Sequence, residues 1–121
     1  MTVQKEVGDR GEQLAQTYLR SAGYIILEAN WRYKRAEIDL IAMDGETLVF
    51  IEVKTRSYDY FGSPDAFVDV HKEELMTGAA HIYMEQIDHN WEVRFDVISV
   101  LLEKDKPPQM EHIRSAFFHG L

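Results

Sequence analysis

The sequence predicts an α/β fold: a mixed β-sheet containing an antiparallel hairpin, flanked by helices, in the order α-β-β-β-α-β-β. Three observations carry this. Apolar residues recur at helical spacing in two segments, residues 5–22 and residues 69–86. Strand-like segments, bounded by turn residues, lie between and after them. Asp44-Gly45, set between two apolar runs, is a strong hairpin signal. Three strands in succession suggest an antiparallel meander, and the strand after the second helix can return beside an earlier one by a right-handed crossover.

Each element has its own warrant. Leu14, Ala15, Tyr18, Leu19 and Ala22 form the inner stripe of the first helix, and Gly23 stops it. Tyr24 to Asn30, Glu37 to Met43 and Glu46 to Thr55 read as strands. Ser57 to Pro64 reads as a loop carrying Tyr58, Tyr60 and Phe61. The second helix is capped at Asp69, or starts at Ser63-Pro64, and runs to about Gln86. Trp91 to Val100 alternates as a strand, and Glu111 to Phe117 is read as a last, edge strand. No repeat or linker splits the 121 residues, so residues 1–121 are expected to form one domain.

Composition narrows the function. Hydrophobic residues make up 45%, enough to build a core. Apolar runs stop at about four residues, far short of a membrane span of about 20. The N-terminus has no signal-peptide pattern, so a soluble, cytoplasmic protein is expected. The absence of cysteine removes disulfides, Cys-zinc sites and thiol nucleophiles. Five histidines remain without a close metal-binding pair. A net charge of -8 argues against non-specific binding to nucleic acid. The acids are uneven, however, and Arg32, Lys34, Arg35, Lys54 and Arg56 cluster along the chain near the hairpin. They suit either a local basic rim or an ordinary mixed-charge surface.

The hairpin carries the chemistry. With Asp44 and Gly45 as its turn residues, Met43 faces Glu46, Asp39 faces Phe50 and Glu37 faces Glu52. Glu37, Asp39, Glu52 and Lys54 then share one side of the sheet. Asp39 and Glu52 become diagonal neighbours, with α-carbons about 7–8 Å apart. Both sides of this hairpin are apolar, so it is expected to be covered, and ionised carboxylates there need a partner or a metal. An isolated Glu-x-Lys is most often an ion pair at a frayed strand end. Asp39, flanked by Ile38, Leu40 and Ile41, is harder to place that way.

Glu12 lies on the same helical stripe as Gly8, Ala15 and Leu19, which should face the core. A salt-bridging role and a role beside the carboxylates both remain open for it. Gly8 and Gly11 flank it, at a helical cost of about 1 kcal/mol each against alanine. Close approach of another group, or a ragged helix start, accounts for them. Lys72 sits above Leu75, Met76, Ala79 and Tyr83, either snorkelling outward or reaching a phosphate. Two or three carboxylates with a lysine suit Mg²⁺ or Mn²⁺. The reaction that best uses these parts is phosphodiester hydrolysis.

Glu37-Ile38-Asp39-Leu40-Ile41-Ala42, followed by Val49-Phe50-Ile51-Glu52-Val53-Lys54-Thr55-Arg56, resembles the bacterial UPF0102 (YraN-like) family. Gly8-x-x-Gly11-Glu12, Gly23-Tyr24, Asn30-Trp31-Arg32 and Arg94-Phe95-Asp96-Val97-Ile98 extend the resemblance over residues 8–100. That family is similar to the PD-(D/E)xK nucleases and, among them, to archaeal Holliday-junction resolvases. Here Ala36 replaces a frequent glycine, and no proline precedes Asp39.

The resemblance implies a restriction-endonuclease-like core. It also implies Asp39, Glu52 and Lys54 as the signature residues, with Glu12 as a helical acid. Asp39, Glu52 and Glu12 are then the expected metal ligands. Arg10, Arg32, Arg35, Arg56 and Lys72 are expected to contact nucleic acid, and DNA with two-fold symmetry would suit a homodimer. The expected function is Mg²⁺-dependent hydrolysis of DNA, branched or single-stranded. The alternative is a non-catalytic nuclease-fold module that binds nucleic acid or protein.

Overall fold

In a computed structural model the structure describes residues 3–57 and 70–116. Helix α1 (Val3–Ser21) is followed by strands β1 (Ile25–Tyr33), β2 (Ala36–Asp44) and β3 (Thr47–Ser57). Helix α2 (Val70–Gln86), β4 (Val93–Leu102) and β5 (Gln109–Ile113) complete the expected order. The Tyr58, Tyr60 and Phe61 loop and the Asp69 cap lie outside the described residues, as does Phe117. No helix among the described residues is long and apolar enough to cross a membrane.

One five-stranded sheet runs β1-β2-β3-β4-β5. β1, β2 and β3 are antiparallel, β3 and β4 are parallel across the α2 connection, and β5 closes the far edge antiparallel to β4. The last strand therefore lies at an edge as expected, but it starts two residues earlier than the sequence pattern suggests.

The helices cover opposite faces. Ala15 and Leu19 of α1 pack with Leu40, Ala42, Val49, Ile51, Ile98 and Val100. Met76, Ala79, Ala80 and Tyr83 of α2 pack with Ile38, Ile41, Leu48, Phe50 and Phe95. The hairpin is thus covered on both sides, as its two-sided hydrophobicity predicts.

Local signals explain the helix ends. The Gly23 amide donates to the Arg20 carbonyl and the Tyr24 amide to the Leu19 carbonyl, at 3.0 and 2.9 Å. With Gly23 at φ 93 this is a Schellman stop, and Leu19 and Tyr24 close it in the same core cluster. Asp88 (φ 56) ends α2 similarly, with the His89 amide on the Met84 carbonyl.

The hairpin turn differs from expectation. Asp44 pairs with Thr47 and Met43 with Leu48, so the turn residues are Gly45 and Glu46. Gly45 has φ 61 and Glu46 is not in the positive-φ region, which puts glycine first, as a type II′ turn requires. Asp44 stays in the strand and pairs with Arg94 at 3.1 Å. The register moves by two residues, so side-chain parity survives.

Candidate active site

Leu40 faces Ile51 at the last described pair of the β2–β3 ladder. The expected diagonal between Asp39 and Glu52 is therefore corrected to the same level of the hairpin. Alternation on β2 also slips here. Ile38 and Ile41 both join the α2-side core, while Leu40 and Ala42 join the α1 side. At this slip the Val53 amide donates to Asp39 Oδ2 at 2.8 Å. The carboxylate takes an amide that would otherwise lack an acceptor.

The electrostatics of Asp39 follow from its place. Burial pushes its carboxyl up to about 7, and the charges of Glu12 and Glu52 push the same way. The Val53 amide and Lys72 pull it down but do not offset burial. Glu12 is also raised, first by burial and then by Glu37 and Asp9, against a hydrogen bond from Asn30 that lowers it. Asp39 thus stands in the field of acids from α1 and β3.

Glu52 is buried on β3 and forms an ion pair with Lys72 of α2 at 2.8 Å. Its side chain is 11% exposed, whereas that of Lys72 is 50% exposed. Lys54 lies in the same field. Burial lowers its ammonium's pKa, Lys72 and Arg56 add to this, and Glu52 and Glu73 oppose it. Such a lysine gives up its proton more readily than a solvated one.

Other expected neighbours separate. Regular alternation places Glu37 beside Asp39, but Glu37 pairs with Arg32 at 2.6 Å and couples to Glu12. Arg35 and Arg56 are exposed near the β1–β2 turn and on β3. Arg10 is exposed on α1, beside Ser57, Leu102 and Glu103. Arg10, Arg32, Arg35 and Arg56 are thus spread over α1, β1, the β1–β2 turn and β3. Among the described residues no three Asp, Glu or His are gathered closely enough to hold an ion as they stand.

Gly11 has a structural role. A Cβ there would overlap the Thr55 side chain. The glycine lets α1 sit directly on β3, which brings Glu12 toward the end of the hairpin. Thr55 Oγ1 is buried there with no hydrogen-bond partner among the described residues.

The sequence pattern left two features unassigned. Asn30 has φ 54 inside β1 and bonds Glu12. Its signal is the tolerance of Asn for left-handed backbone. A second polar group surrounds Asp96, which is fully buried on β4. It accepts from Arg94 Nε at 2.9 Å and from the Ser115 amide at 3.0 Å, and lies 2.7 Å from His112 Nε2. His112 Nδ1 is 2.8 Å from the Tyr18 hydroxyl, and Arg94 donates to the Tyr24 hydroxyl at 2.7 Å. This network ties β5, α1 and the start of β1 to β4. Its signal was the Arg94-x-Asp96 spacing on one strand face.

Known proteins match at the level of family. The model of "Uncharacterised protein family UPF0102" matches residues 11–100. A UPF0102 protein of Christiangramia forsetii is 44% identical over 119 residues, 98% of this chain and 99% of its own length. One of Flavobacterium psychrophilum is 43% identical over the same shares. One of Thermodesulfovibrio yellowstonii is 44% identical over 113 residues, 93% of this chain and 96% of its own length. The matched span holds Gly11, Glu12, the hairpin acids, Lys54 and the Arg94–Asp96 pair, and on this evidence the chain belongs to the UPF0102 family.

Proposed function

We propose that this protein is a divalent-metal-dependent endonuclease that hydrolyses phosphodiester bonds in DNA, branched or single-stranded. One observation carries the reading. Asp39 is a carboxylate half-buried between two core clusters, kept near neutrality in its pKa and set in the field of Glu12 and Glu52. Structural stability alone does not favour three acids so placed.

The donor set fits Mg²⁺ or Mn²⁺. The ligands would be oxygens from Asp39, Glu52 and Glu12, drawn from two strands and a helix. Lys72 holds Glu52 in the metal-free arrangement, and its half-exposed side chain can withdraw. Thr55 Oγ1, a buried polar atom without a partner among the described residues, is a further group that ordered solvent at an occupied site would satisfy. When bound, the ion would offset charge on the scissile phosphate and acidify water there.

The chain's own residues do the rest. The Val53 amide fixes Asp39 Oδ2 and so orients the carboxylate. Lys54, with its lowered proton affinity, orients the attacking water and meets negative charge as it develops. Lys72, once released from Glu52, is a cation for the phosphate.

Calorimetric titration of Mn²⁺, followed by incubation with fluorescent branched and single-stranded DNA, tests this. Wild type should bind the ion and cut, and an Asp39→Ala, Glu52→Ala double variant should do neither. Binding without cutting would shift the reading to a non-catalytic nuclease-fold module. Absence of metal binding would overturn the site.

A further inference from the structure

A concavity lies a short way along β2 and α2 from this site. The β1–β2 turn and α2 enclose a groove of about 450 Å³, within the usual range for small-ligand sites. Tyr33, Lys34 and Arg35 form one wall, and Leu75, Gly78 and Ile82 form the other. Ala36, also in its lining, is three residues from Asp39 along β2, about 10 Å of strand. Leu75 is three residues from Lys72 along α2, less than one helical turn. The groove therefore lies about three residues from the candidate active site along both elements.

Its walls combine aromatic surface with charge. Tyr33 is stacked on Trp31, with planes 9° apart and centroids 6.3 Å apart. Trp31 meets Tyr83 edge-on at 5.1 Å, and Tyr83 meets Phe50. Tyr33, the aromatic residue of the lining, is thus tied through Trp31 and Tyr83 to the core. The Lys34 ammonium lies 5.4 Å from the Tyr33 ring centre. Lys34 also adopts φ 55, an unfavourable backbone for a lysine that the two-residue turn imposes. Glu74 on the helical wall is an acceptor for an amino group.

We propose that this groove binds an unpaired nucleobase from a single-stranded part of the substrate, a reading that rests on the nucleic-acid function proposed above. An aromatic face beside cations is the arrangement that single-strand binding uses: a base stacks, and its phosphate meets the charge. Lys34 and Arg35 supply that charge locally on a chain of net charge -8. The groove thus selects substrates with single-stranded character and holds them beside Asp39 and Glu52.

The test is binding without turnover, in EDTA at low salt. The probes are a short single-stranded DNA carrying one 2-aminopurine and the same labelled strand as a duplex. Gly78→Leu fills the groove, since no atom lies within 4 Å of a Cβ there, and it replaces a helical glycine. It should melt at or above the wild-type temperature. Gly78→Leu and Tyr33→Ala should each weaken single-strand binding by about tenfold, the scale of one lost base stack, and leave duplex binding unchanged.

Equal single-strand binding by wild type and Gly78→Leu would overturn the groove. Duplex binding without single-strand binding would overturn it and leave the nuclease reading standing. No binding of either probe by the wild type would overturn both. A wild-type dimer that Gly78→Leu converts to a monomer would assign the groove to a second copy and overturn its role in nucleic-acid binding.

Discussion

Asp39 on β2 accepts the amide of Val53 on β3 at 2.8 Å, beyond the last described pair of the ladder between these strands. A side chain thus serves as a structural acceptor and faces a field of other acids. Asparagine keeps the acceptor and removes the charge. Asp39→Asn should therefore melt above wild type at pH 8 without metal, and should bind no Mn²⁺. A lower melting temperature at pH 8 would show that the charge is compensated in the metal-free protein.

The same group sets a pH dependence. Its pKa is raised from 3.8 to about 7 in the folded state, so the folded protein holds the proton more tightly than the unfolded chain. Its contribution is full below about pH 4 and is lost as pH rises through about 7. The stability difference between wild type and Asp39→Asn should widen over that window in chemical denaturation. Mn²⁺ should narrow it, most strongly at pH 8, where the ion has no proton to displace. A difference independent of pH would place Asp39 in a different environment.

In the proposed site Lys72 and the ion would compete for Glu52. Lys72→Met should tighten Mn²⁺ binding by about two- to fivefold, the scale of a partly exposed ion pair, and should slow cleavage. Calorimetry and a cleavage assay separate the two effects. Weaker Mn²⁺ binding in Lys72→Met would mean that the lysine positions Glu52 for the ion.

Gly8 and Gly11, three residues apart on one helix, should respond oppositely to alanine. A Cβ at Gly8 meets nothing within 4 Å, so Gly8→Ala should stabilise by up to about 1 kcal/mol. A Cβ at Gly11 would overlap the Thr55 side chain, so Gly11→Ala should destabilise by about 1–3 kcal/mol. Urea denaturation measures both. A neutral Gly11→Ala would show that α1 can lift from β3 at little cost.

Asp96 holds Arg94, His112 and the Ser115 amide at a fully buried point. Asp96→Ala would remove the buried acceptor of Arg94 Nε and the Ser115 amide and the partner of His112, leaving Arg94 with only Asp44 and Tyr24 among the described residues, at a cost of about 3–5 kcal/mol. Thermal melting should show the loss, and Mn²⁺ binding by the remaining folded protein should be unchanged. A large loss of metal affinity would link this network to the candidate active site.

The chain's own pattern was enough for the element order, the two covered faces of the hairpin and the acids it carries. Those follow from periodicity and turn chemistry, which act over a few residues. Gly23 and the Leu19–Tyr24 closure show how short that range is. The exact register was not fixed at that range, because Asp44-Gly45 and Gly45-Glu46 both make allowed turns. Arg94, fifty residues away, holds Asp44 in the strand. The tertiary structure alone decided that Asp39 caps Val53, that Glu37 pairs with Arg32, and that Lys72 reaches Glu52. The first two depend on how β1, β2 and β3 register against one another, and the last on where α2 settles on the sheet, so none is set by the periodicity of a single segment.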